Sequence, residues 1–129
     1  MRTYSAQLLL PHDPTSPTWA LMWARRFAGD VLVGEAWKPN SLLDEEWMGW
    51  LEATAIRTDN AVYYRPHEAA ARALESDPDR LLSLSLSGVA QQYRSAQEAA
   101  NAIRRGGRWV DELIRSQSGI APEELAPRW

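Results

Sequence analysis

Apolar residues recur at three- and four-residue spacing through most of this chain, and that periodicity predicts a helical protein. Leu43, Trp47, Trp50, Leu51 and Thr54 form one stripe, which places a helix over residues 42–58. Ser41-Leu-Leu-Asp44 approximates a capping box at its start, and Asp44, Glu45 and Glu46 suit the positive end of the helix dipole. Pro66 is well placed as a first helical residue. Ala69, Ala70, Ala73 and Leu74 supply that helix's buried face, and Asp77-Pro-Asp79 stops it. Ser95-Ala-Gln-Glu98 is a full capping box opening a last helix, with Ala99, Ile103, Val110, Leu113 and Ile114 on its buried side. Gly106-Gly107 in the middle of that helix costs roughly 1 kcal/mol per glycine relative to alanine. The pair therefore points to a kink or a close contact with another backbone. Nearer the start, Thr18 is the expected N-cap of a short helix through Phe27, ended by Gly29.

A period of two appears once, in Leu82-Ser-Leu-Ser-Leu-Ser87 before Gly88. It belongs to a half-buried strand, with Val89 to Tyr93 as a returning hairpin arm. A lone two-stranded hairpin is marginal in water, so it must lie on the helices or pair with strands of another chain. Tyr4 to Leu10 and Asp30 to Gly34 read as short strands, and His12 to Pro17 as a proline-punctuated loop. The expected fold is mainly α: a small helical domain with a short β-hairpin or inserted strand, and an extra β element near the N-terminus. A Trp-rich segment, residues 1–40, packs on or extends from a core at residues 41–116. A tail at residues 117–129 is expected to order only on a partner.

Composition narrows the chemistry. With 129 residues the chain suits one domain, and with no cysteine it excludes disulfides and Cys-ligated metal sites. Apolar runs as short as Leu8 to Leu10 predict no membrane span, and Met1 to Tyr4 lack the apolar stretch of a secretory signal. A net charge of −3 argues against coating DNA through the overall field. The seven tryptophans suit either the core or a partner surface. His12 and His67 lack partners at metal-ligand spacing, and neither a nucleophile elbow nor a phosphate-binding glycine motif is present. No cofactor is expected. The adjacent pairs Glu45/Glu46 and Asp111/Glu112 read as solvated faces. Arg104-Arg-Gly-Gly-Arg108 is the one basic cluster, with Asp111 and Glu112 at helical spacing to pair with Arg108.

Read in order, Tyr63-Tyr-Arg-Pro-His-Glu-Ala-Ala-Ala-Arg-Ala-Leu74, Asp77-Pro-Asp-Arg-Leu81, Ser85-Leu-Ser-Gly-Val-Ala-Gln-Gln-Tyr93 and Trp109-Val-Asp-Glu-Leu113 resemble the head–tail adaptor (connector) proteins of tailed bacteriophages. The likeness covers about residues 41–116. It implies a virion protein made in the host cytoplasm and placed at the head–tail junction. Its partners would be itself, in a ring usually of twelve, the portal protein, and a neck, stopper or tail protein. DNA would pass through the ring without specific binding, and no activity as an enzyme is implied. Leu82, Leu84 and Leu86 are the candidates for subunit packing. Arg104, Arg105 and Arg108, with Trp129 in the tail, are the candidates for contact with a neighbour or the portal. The rival reading is a small cytoplasmic nucleic-acid- or partner-binding regulator that uses the Arg104–Arg108 cluster. A hydrolase built on His12 or His67 is a third.

Overall fold

The computed structural model describes residues 2, 11–31, 36–38, 40–80 and 95–119. The protein is mainly helical with a small two-stranded antiparallel sheet, and the described residues run in the order α1 (Pro17–Ala28), α2 (Asp44–Thr54), β1 (Ile56–Arg57), β2 (Val62–Tyr63), α3 (Pro66–Ser76), α4 (Ala96–Gly106) and α5 (Arg108–Ser118). The stretches 4–10, 82–87 and 89–93, expected as strands, lie outside the described residues, as does the tail beyond Gly119. Of the stretch 30–34 only Asp30 and Val31 are described.

α3 is the hub. Eight of its eleven residues are buried, including Ala69, Ala70, Ala71 and Ala73, and a helix buried on nearly every side belongs at the centre of a bundle. α1, α2 and α4 all pack on it. The contact layers are thin because buried alanines line them: Ala20, Ala24 and Ala28 on α1, and Ala99 and Ala100 on α4. Trp19, Trp47, Leu51, Val110 and Ile114, all fully buried, fill the remaining volume. One core therefore draws on both the Trp-rich N-terminal segment and the helices after residue 41.

Local chemistry sets the helix ends. α1 starts one residue before the expected cap: Pro17 takes the first helical position and Ser16 Oγ accepts from Trp19 N at 3.3 Å. It ends at Gly29, whose φ of 75° only glycine adopts without strain. At the start of α2, Leu43 N donates to Glu46 Oε1 at 3.1 Å. α2 stops at Thr54, short of the expected residue 58, because Ala55 turns extended and the chain enters the hairpin. There Ile56 pairs with Tyr63 and Arg57 with Val62, closed by Thr58 N donating to Ala61 O at 2.9 Å and by Thr58 Oγ1 accepting from Ala61 N at 3.0 Å. Ser95 caps α4 by accepting from Glu98 N at 3.2 Å.

The loop from α1 to α2 is held by a buried ionic node. Arg25 and Asp30 are both fully buried and 2.8 Å apart. Asp30 also accepts from Ser41 Oγ at 2.6 Å, Leu42 N at 3.0 Å and Trp47 Nε1 at 2.9 Å. The Arg25 guanidinium reaches on to Leu42 O and Asp44 Oδ1, at 2.9 and 2.8 Å, and lies 4.7 Å over the Trp37 ring. Nearby, Arg80 pairs with Glu46 at 2.9 Å and donates to the Asn40 and Ser41 carbonyls. Its hydrogen bond, outweighing burial, pulls the Glu46 carboxyl below the usual range.

Replacing Asp30 with Ala leaves Arg25 buried without its principal counter-charge, so unfolding free energy should fall by about 3–5 kcal/mol. Trp47→Phe removes one donor of four to a buried carboxylate and leaves a void in the core, so it should cost about 2–3 kcal/mol. Urea titrations of the two variants check both values.

Candidate functional site

The sequence directs attention to the last two helices, and the structure breaks the expected single helix there. α4 and α5 meet at Gly107, whose φ of −99° any residue could adopt. The requirement for glycine is steric: an added Cβ would fall 2.1 Å from His67 Cβ. His67 on α3, only 1% exposed, thus occupies the inside of the elbow. The close approach foreseen at the glycine pair is to a side chain of α3 rather than to a backbone, and a Cβ added at Gly106 would meet nothing within 4 Å among the described residues.

Asp111 fixes the second arm of the elbow. It does not sit on a solvated face or pair with Arg108. Its carboxylate receives Arg65 Nε at 2.9 Å and Nη2 at 3.2 Å, and meets His67 Nε2 at 3.2 Å. A carboxylate only accepts, so Nε2 carries the proton of that contact. Burial pushes the Asp111 carboxyl up, but the hydrogen bonds and charges of His67 and Arg65 outweigh it and hold the group at about 2. His67 Nδ1 is buried with no hydrogen-bond partner among the described residues.

Arg104 turns inward on the first arm. It donates through Nε to Glu68 at 3.0 Å and through Nη2 to Glu75 at 2.6 Å. The nearly buried Glu68 also faces Arg72 at 3.7 Å. The hydrogen bond from Arg104 lowers Glu75, and the two carboxylates raise Arg104. Arg104 therefore fastens α4 to α3, while Arg105 and Arg108 are exposed on either side of Gly107. Leu82, Leu84, Leu86 and Trp129 lie outside the described residues.

Beside the elbow runs an aromatic ridge that sequence reasoning left undivided between core and surface. Trp109 packs 4.8 Å from Trp23, 5.0 Å from His12 and 6.4 Å from Phe27, centroid to centroid. Trp23, Phe27 and Trp109 are half-buried, whereas Trp19 beneath them is fully buried and donates to His12 Nδ1 at 3.2 Å. Arg26 lies 5.0 Å over the Trp23 ring. Spacing alone could have put Trp23 and Phe27 on one face of α1, four residues apart; their meeting with Trp109 is a long-range fact. Among the described residues no group of three or more His, Cys, Asp or Glu side chains is placed to hold a metal, and no helix is long and apolar enough to cross a membrane.

Comparisons of the chain with protein-family models, with curated proteins and with solved structures found no match.

Two outcomes follow from the elbow. Gly107→Ala should destabilise by about 2 kcal/mol or more through overpacking, and the same change in a His67→Gly background, where the clashing Cβ is gone, should cost less, as a double-mutant cycle would show. Asp111 has a depressed folded-state pKa, so the stability it supplies is present above the unfolded value near 4. That contribution, about 2 kcal/mol, disappears as pH falls from about 4 through about 2. Asp111→Asn should be less stable than the parent at neutral pH, with the gap closing over that acid window in denaturant titrations.

Proposed function

We propose that this chain is a structural subunit that works by assembly, and that it serves as a ring-forming head-to-tail adaptor between the portal and the neck or tail of a tailed phage, leaving a passage for DNA. The observation that carries the assembly reading is the position of its aromatic and arginine side chains. Trp23, Phe27 and Trp109 stand half-exposed as one ridge, with Arg105 and Arg108 exposed at the adjoining elbow. Tryptophan, phenylalanine and arginine are the residues enriched at the cores of protein interfaces. The junction itself is supported by the ordered resemblance across residues 63–113. In this reading Arg104 is a fastening of the subunit, and Arg105 and Arg108 meet the neighbour or portal.

The regulator reading uses the same arginines on nucleic acid. It has two outward cations to work with rather than three, since Arg104 is bound to Glu68 and Glu75.

Electron microscopy and mass spectrometry of phage particles that encode this protein separate the two. Symmetric density between portal and tail that fits α1 to α5 is the expected result. Absence from particles, together with DNA binding that falls steeply with salt and is lost in Arg105→Glu/Arg108→Glu, would overturn the adaptor reading in favour of the regulator.

A further inference from the structure

We infer that two different faces of this chain bind each other: the outward face of α2 in one copy seats on the aromatic and basic elbow of the next. The inference rests on the assembly reading above and adds to it the identity of the two surfaces.

The α2 face is chemically specific. α2 carries Asp44, Glu45, Glu46 and Glu52 and no cation. Asp44 is turned to Arg25 and Glu46 to Arg80, and Gly49 and Glu52, both exposed, share one outward side of the helix. Half-buried Met48 and Trp50 border it. Gly49 is the telling residue. Glycine inside a helix is unfavourable relative to alanine, and nothing among the described residues asks for it here: its φ is not positive, and no described atom lies within 4 Å of where a Cβ would stand. A glycine with open space before it admits the close approach of a bulky group from outside.

The elbow supplies the complement. Arg105 and Arg108 offer positive charge opposite Glu52, and the Trp109–Trp23 ridge offers the bulky apolar surface that would settle over Gly49. Opposite charges across the contact fix its register and exclude like faces. The two faces are carried by different elements, the one by α2 and the other by α1, α4 and α5. Their union is a head-to-tail contact that propagates, closing into a ring when the rotation permits.

Sedimentation of the full chain across a concentration series, at low and high ionic strength, tests this. The parent should associate reversibly, and less so at high salt. Glu52→Arg and Arg108→Glu should each weaken association about tenfold, and the two together in one chain should restore most of it. Gly49→Trp, which enters open space, should abolish association while leaving the circular dichroism and melting temperature of the subunit intact. A parent that stays monomeric to about millimolar concentration, where even weak contacts register, overturns the inference. So does a charge swap without rescue, or a Gly49→Trp variant that associates as the parent does. A monomer found in the phage neck leaves the adaptor reading standing and removes only this contact; self-association in a protein missing from particles does the reverse.

Discussion

The structure depends on the pairing of Arg25 with Asp30. Both are fully buried, and a charge out of water is tolerated only when paired and hydrogen-bonded. Asp30 satisfies that condition with four donors drawn from α1, the loop at Ser41 and Leu42, and Trp47 of α2. Such a pair adds little stability over a well-packed apolar substitute, but losing one partner is expensive. Its effect is therefore to select geometry. It holds the end of α1 to the start of α2, and so fixes which side of α2 turns to α3 and which turns outward.

The same device recurs around the hub. α3 offers small side chains for close packing and then Glu68, His67 and the preceding Arg65 as anchors. Arg104 reaches Glu68 and Glu75 from α4, and Asp111 reaches Arg65 and His67 from α5. Alanine layers allow the helices to approach, and the ionic contacts set how they lie along one another. With these groups holding helices in place, the features turned outward include the aromatic ridge, Arg105 and Arg108 at the elbow, and the α2 face around Gly49.

What could be read in the sequence was what neighbours in the chain decide. Pro66 beginning a helix, Ser95 capping one and Gly29 ending one are local events, and the stripe of α2 emerges with Trp47, Leu51 and Thr54 buried. The hairpin at Ile56 to Tyr63 escaped because each strand has two residues, too few for alternation to register; Thr58-Asp59-Asn60 was its available turn signal. At Gly106-Gly107 the spacing announced a disturbance but could not identify His67, forty residues earlier, as its cause. Asp111 and Arg104 looked like surface charges because their nearest candidates in sequence were helical neighbours. Their partners lie 29 to 46 residues away, and only packing brings them together.

The central claim is that the working parts of this protein are outward faces that complement one another in assembly. The absence of native cysteine permits its most direct test. Ala53→Cys and Glu112→Cys variants, each one turn beyond the proposed contact residues and exposed, prepared separately and mixed under mild oxidation, should give a mixed disulfide between copies as the dominant product, suppressed by high salt. Random collision would instead yield the two homodisulfides and the mixed species in statistical proportion, insensitive to salt, and that result would contradict the account.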